Sequence, residues 1–340
     1  MKWDIWGDSG TQSGQSVQVD LALTAAAFGI GIVVGLTGMG GGALMTPVLV
    51  LFFNVPPLTA VSSDLVASAV MKPVGSVVHL RHGTVNLRLV GWLALGSVPS
   101  AFVGVLILRA LGDGERVQSV ITIALGVALL VTALGLTVRA YIRLVERARK
   151  KDGRAAPLPA GPPVVTPKPL PTIALGALGG LVVGMTSVGS GSLIIIGLML
   201  LYPGLKASQL VGTDLLQAVP LVTSAAIGHA LFGDLDLLIT APLLLGSIPG
   251  VWIGAHLSAR LRGGWVRRAL AFVLLASALK LLGMPNAQAA MVLLGTLLVA
   301  PPLWMAVRIR HGFPALATRE DRRRPPEDSR GQPPTLEAAE

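Results

Sequence analysis

The chain reads as an all-α polytopic membrane protein. It is built from two inverted-topology repeats, each opening with a glycine-broken re-entrant helix pair, followed by one extra C-terminal helix. Three observations predict this: composition, apolar runs near the length of a bilayer span, and a self-similarity at an offset near 150 residues. Of 340 residues, 52% are hydrophobic and 13% charged, where a soluble domain carries about 25% charge. The mean hydropathy is +0.71. The runs are long and rich in Leu, Ala, Val and Gly rather than short and alternating, so they fit helices and not the strands of a membrane barrel.

Along the chain, residues 1–18 form a polar, mildly acidic stretch, read as a periplasmic tail because it lacks the basic start and apolar core of a cleaved signal. The first membrane repeat, 19–138, holds apolar runs at 19–36, 43–53, 58–80, 87–108 and 117–138. A cytoplasmic linker, 139–169, begins as a basic helix end and becomes Pro-rich and extended. The second membrane repeat, 170–282, holds runs at 170–186, 192–201, 207–231, 235–259 and 265–282. An extra transmembrane helix follows within 283–307. The tail 308–340 is charged and Pro-rich, the composition of a disordered segment.

The repeat is visible residue by residue. "GLTGMGGGAL" at Gly35 returns as "GMTSVGSGSL" at Gly184, an offset of 149. "SDLVASAV" at Ser63 returns as "TDLLQAVP" at Thr213, and "LGSVPS" at Leu95 as "LGSIPG" at Leu245, both at 150. Asp64 thereby pairs with Asp214, His79 with His229 and Pro99 with Pro249.

Basic residues orient the halves. The linker and C-terminal tail are strongly basic and are placed inside. Working back from the linker, the loop with Asp113 and Arg116 falls outside, that with Arg81 and Arg88 inside, and the N-terminus outside. Working forward, Asp234 and Asp236 fall outside, and Arg260 to Arg268 inside. The two glycine stretches therefore enter from opposite faces, the arrangement of many secondary transporters.

The glycine breaks carry the site prediction. The run 43–53 has eleven residues, and at about 1.5 Å per residue it reaches roughly half of a ~30 Å hydrocarbon core. Each glycine turn thus lies inside the membrane and starts a half-helix, whose N-terminus offers unpaired N–H groups and partial positive charge. Thr37, Gly38, Gly40, Gly41 and Gly42 in the first turn, and Thr186, Ser187, Gly189, Ser190, Gly191 and Ser192 in the second, are the candidate anion-binding residues. Close helix packing through small residues is the other reading of these glycines.

Lys72 lies fourteen residues past Leu58, about 21 Å along its helix. A lysine at that depth needs a counter-charge. Asp64 is about 12 Å away along the same helix and cannot supply it, which leaves Asp214 or an anionic substrate. Snorkelling to the interface is the alternative. Asp64 and Asp214 are expected to cap helix ends, to bond the glycine turn of their own repeat, or to carry protons. His79 and His229 are expected at interfacial helix ends, structural or proton-relaying. Pro99 and Pro249 are expected to kink their helices as hinges.

The net charge of +10 does not point to nucleic acid, because the basic residues cluster at 139–154 and 308–324 beside apolar runs. Cysteine is absent, so thiolate metal sites and disulfides are excluded. Ser190 between glycines, with His229 on the next helix, allows an intramembrane serine hydrolase, but Gly41 occupies the matching place in repeat one.

The glycine-broken hairpins, "SDLVASAVMKPVGSVVHLRHGTVNLRLV", "GTDLLQAV" and the paired "GSVP" and "GSIP" resemble the TauE/SafE family of sulfite and organosulfonate exporters over roughly residues 21–282. The resemblance implies a secondary transporter of a small anion such as sulfite, an organosulfonate or sulfate, in the bacterial inner membrane. It implies export and no bound cofactor, and leaves proton coupling through Asp64 or Asp214 open. A passive anion channel on the same fold is the alternative. The site it implies comprises Thr37 to Gly42, Thr186 to Ser192, Asp64, Lys72 and Asp214. One departure stands out: Ser62–Leu65 reads "SSDL", where repeat two keeps "GTDL" at Gly212–Leu215.

Overall fold

The structure is a computed structural model that describes residues 20–37, 41–81, 83, 85–112, 114–151, 166–205, 207–232, 235–258 and 264–314. These residues form eleven helices and no strand. The helices are α1 (Leu21–Thr37), α2 (Gly42–Phe52), α3 (Pro57–Arg81), α4 (Leu87–Ala110), α5 (Glu115–Lys151), α6 (Pro169–Thr186), α7 (Leu193–Leu201), α8 (Ala207–Leu231), α9 (Leu237–Ser258), α10 (Gly264–Leu281) and α11 (Asn286–Arg310). Six segments are long and apolar enough to cross a bilayer: Leu87–Ala110, Glu115–Val145, Pro169–Thr186, Gln209–Leu231, Leu237–Gly254 and Asn286–Arg310. The chain divides into one unit of Met1–Thr137 with Ala160–Met284 and another of Val138–Pro159 with Pro285–Glu340.

Polar residues mark where helices of the first unit begin. Asn86 Oδ1 accepts the Arg88 and Leu89 amides at the head of α4. Asp20 and Asp236 do the same for α1 and α9. These side chains satisfy amides that a helix start leaves without intrahelical partners. Helix α10 ends where Gly283 takes φ +76° and the Met284 amide reaches back to the Leu279 carbonyl, the left-handed glycine stop.

The most extensive contacts join the repeats reciprocally. Helix α1 of the first repeat packs on α9 of the second, and α6 of the second packs on α4 of the first. Glycines make both seams. A Cβ on Gly176, Gly180 or Gly184 of α6 would strike the backbone of Leu93, Ser97 or Ala101 in α4. A Cβ on Gly246, Gly250 or Gly254 of α9 would strike that of Thr24, Phe28 or Ile32 in α1. The helices meet backbone to backbone, as small residues at every fourth position permit in membranes. Helices α3 and α8 pack on each other, on α9 and on α4 respectively, and carry the charged residues of the interior. Around them Val61, Leu65, Leu89, Leu93, Ile194 and Leu221 form the apolar core.

The half-helices are short, as the glycine turns require. α2 has eleven residues and α7 nine, about 16 Å and 14 Å at ~1.5 Å per residue.

In the second unit, α5 continues through Lys151, so the stretch expected as linker opens with helix. Residues 152–165 lie outside the described residues. Helix α11 runs on to Arg310, past the expected start of the tail. Arg308 is the reason: it is buried, its Nε donates to the Pro314 carbonyl at 3.0 Å, and its guanidinium lies 5.8 Å from the Phe313 ring centre. The Tyr141 and His311 rings meet edge-on at 6.1 Å.

Candidate functional site

The site is built where the two glycine turns meet. In the first, α1 ends at Thr37 and α2 starts at Gly42 with Gly41 before it; no side chain caps that start. Gly38 and Gly40 lie outside the described residues. In the second, α6 ends at Thr186 and α7 starts at Leu193, again with no side-chain cap from Ser192. Between them Gly189 and Gly191 take φ +128° and +105°, and Ser187 takes φ +59°. A left-handed backbone costs a non-glycine residue about 1–2 kcal/mol, so its contacts must hold Ser187 there. The turns touch directly: a Cβ on Gly42 would collide with the Ser187 carbonyl.

Asp64, on α3 and fully buried, provides the hold. Thr46 Oγ1 of α2 and Ser187 Oγ both donate to its Oδ2, at 2.8 and 2.7 Å. Its Oδ1 has no hydrogen-bond partner, nor has the buried Ser68 Oγ one turn on. Thr46 belongs to the half-helix of Asp64's own repeat, while residues 38–40 of its own turn lie outside the described residues. Among the described residues, the turn partner of Asp64 is Ser187 of the other repeat, brought into reach by the contact between the two turns.

Lys72, two turns further along α3, is 5% exposed, and its Nζ donates to Ser190 Oγ at 2.5 Å. Below it Ser76 Oγ bonds the carbonyls of Lys72 and of Leu215 on α8. This anchors α3 where Pro73 interrupts its own hydrogen bonding. Lys72 is thus held inside the protein by the second glycine turn, not by the interface. On α8, Asp214 is 2% exposed and accepts from Gln217 Nε2 at 3.4 Å, while Gln217 Oε1 accepts from Ser97. Ser192 Oγ shares a 2.9 Å hydrogen bond with Thr132 of α5.

Other predicted residues fall elsewhere. Thr37 and Thr186 spend their hydroxyl protons on the preceding turn, donating to Val33 and Val182 carbonyls. His229 lies in the last turn of α8 and is fully buried by protein. Its Nε2–H donates to the Gly184 carbonyl and its Nδ1 lies 3.0 Å from Ser62 Oγ, tying α8 to α6 and α3. His79, its repeat mate, is half-buried. Both ring nitrogens of His229 are occupied away from Ser190, so the Ser–His pair of a hydrolase is not formed. Pro99 and Pro249 sit inside α4 and α9 on exposed faces. A groove of about 420 Å³ between α4 and α8, lined by Val98, Phe102, Pro220 and Ile227 among others, involves none of these polar groups.

A family model described as Sulfite exporter TauE/SafE matches residues 23–281. The chain belongs to the sulfite exporter TauE/SafE family. Among curated proteins it is 41% identical over 254 residues to the "Probable membrane transporter protein YjnA" of Bacillus subtilis (strain 168), covering 74% of this chain and 96% of that one. It is 26% identical over 236 residues to YdhB of the same organism, also described as a probable membrane transporter protein, covering 67% and 86%. No solved structure matches. The chain is a multi-pass membrane transporter, not an enzyme.

Several residues in this family member escaped the motif-based reading: Thr46, Ser68, Thr132 and Gln217. The sequence does hold a signal for some of them. At the repeat offset of 150, Ser68 faces Ala218 and Gln217 faces Ala67, just as Ser62 faces Gly212. Polar residues that break the repeat mark where the symmetric scaffold departs from symmetry.

Proposed function

We propose that this transporter moves a small oxyanion, such as sulfite, an organosulfonate or sulfate, across the inner membrane by alternating exposure of a site at the second glycine turn. Lys72 carries this reading: it is a buried ammonium whose hydrogen-bond partner, Ser190, sits in the turn that starts the uncapped half-helix α7. An oxyanion replacing part of that contact gains an ammonium, serine hydroxyls and the positive end of a helix. Gly189 and Gly191 keep the turn backbone open to it, with Gly41 and Gly42 of the first turn alongside.

The reciprocal packing of α1 with α9 and α4 with α6 supports an inverted pair of repeats, and the alternation of basic loops supports an outside N-terminus and a cytoplasmic C-terminus. Pro99 and Pro249 supply the bends of the motion, and outward transport is the direction that the family description favours. The test is sulfite efflux from proteoliposomes holding the wild type or Lys72→Ala. Lys72→Ala is expected to reduce the rate to the protein-free background. Unchanged efflux removes Lys72 from the site, and efflux that never runs against the anion's gradient under an imposed pH difference makes the protein a channel.

A further inference from the structure

Among the described residues, the buried charged side chains of the repeat unit are Asp64, Lys72 and Asp214: one ammonium against two carboxylates. With all three ionised, the interior carries one negative charge in excess before any anion arrives. An oxyanion that takes Lys72 as its counter-ion adds a second. Uncompensated buried charges are costly in a membrane interior. The inexpensive way to admit the anion is to admit a cation with it.

The geometry provides a place for a proton. Both hydroxyl bonds to Asp64, from Thr46 and Ser187, end on Oδ2, while Oδ1 is buried and has no partner. A proton on Oδ1 therefore breaks no existing bond, because Oδ2 remains an acceptor. Oδ1 faces Gly41, where an added Cβ would lie 3.2 Å from it and 3.6 Å from the equally unpartnered Ser68 Oγ. The Met71 methyl, 2.9 Å from the same point, closes that side against other polar groups, and Ser68 stands beside it as a hydroxyl able to accept. The elements around Asp64 offer little competition. Helix α2 and the second turn bring only hydroxyls, and α9 brings Thr240, bonded to Ser63. Helix α8 brings Asp214, which accepts from Gln217, and His229, whose nitrogens meet Ser62 and Gly184. Lys72 lies on α3 itself, bonded to Ser190.

We propose that the chain is a proton–anion symporter in which each monovalent oxyanion enters with one proton carried on Asp64 Oδ1. The inference rests on the anion-transport reading above. The proton comes from hydronium on the side where the anion binds, converts the carboxylate to the acid, and returns to water on the side of release. The same carboxyl group holds α2 through Thr46 and the second turn through Ser187, so its protonation is felt by both half-helices at once. One anion and one proton carry no net charge, so the concentration gradients of the two ions set the direction and the membrane potential does not.

The test uses the full chain in proteoliposomes with a pH dye inside and isethionate, a permanently monovalent organosulfonate, outside; sulfate and sulfite are run in parallel. The expected result is lumen acidification of one proton per isethionate taken up, with a rate unchanged when the potential is clamped. Asp64→Asn is expected to abolish the acidification, and Asp64→Glu to restore it. Isethionate uptake without acidification, or uptake that follows the clamped potential, overturns the symport while leaving anion transport standing. Acidification that persists in Asp64→Asn overturns the assignment to Asp64. Uptake of none of the three anions overturns the transport reading and the symport with it. The wild-type stoichiometry decides the coupling even where Asp64→Asn fails to insert.

Discussion

The two glycine turns descend from the same pattern and end in opposite electrostatic states. At the first, the positive end of α2 lies against the chain's own carboxylate: Asp64 contacts the Gly41 position and is bonded by Thr46 within α2. At the second, the same carboxylate is met through Ser187 at the beginning of the turn, while Lys72 reaches its far end through Ser190. The substitutions responsible are small. Ser187 and Ser190 stand where repeat one has Gly38 and Gly41, and Val222 stands where repeat one has Lys72. The paired sequences thus differ most in the polar groups that each turn presents.

This contrast can be broken or sharpened by substitution. The largest effect is expected from Gly42→Val, which drives a side chain into the Ser187 carbonyl and forces the turns apart. Overpacking of this kind costs about 1–3 kcal/mol or more, read as a lowered thermal midpoint in detergent with loss of transport. Next is Ser190→Gly, which copies the first turn onto the second. Losing a charge-assisted hydrogen bond of about 1.5–3 kcal/mol should weaken anion binding by roughly tenfold or more, measured by titration calorimetry.

Ser187 offers a finer comparison. Ser187→Ala removes the bond to Asp64 and keeps the left-handed backbone strained, whereas Ser187→Gly removes the bond and relieves the strain. The glycine variant should therefore be more stable than the alanine variant by about 1 kcal/mol; equal stabilities would show that the backbone at 187 relaxes. The histidine pair compares the two repeats away from the turns. His229→Phe should cost about 1–3 kcal/mol by stranding the Gly184 carbonyl and Ser62, and His79→Phe should cost less, as the same unfolding measurement can show.

The helices were legible because apolar runs in a membrane have few alternatives: the run 43–53 became Gly42–Phe52 and 192–201 became Leu193–Leu201. Lys72 was legible as a buried charge in need of a partner. Its partner was not, because Ser190 is 118 residues away and only packing brings it near. For the same reason the bond from Ser187 to Asp64, across 123 residues, was not foreseen. Pairing His229 with His79 by offset hid that they sit in different surroundings, since Ser62 replaces the glycine found at 212. The fourfold glycine spacing at 176, 180, 184 and 246, 250, 254 was readable as a packing seam, yet the denser clusters at the breaks drew the attention.

Those seams carry a consequence for inheritance. Each joins a helix encoded in one half of the gene to a helix encoded in the other, with backbone carbonyls against glycine and little side chain between to absorb a change. A mutation enlarging one face must be answered by a mutation in the opposite half of the reading frame. The turns can vary in their side chains where these lines of close backbone contact cannot.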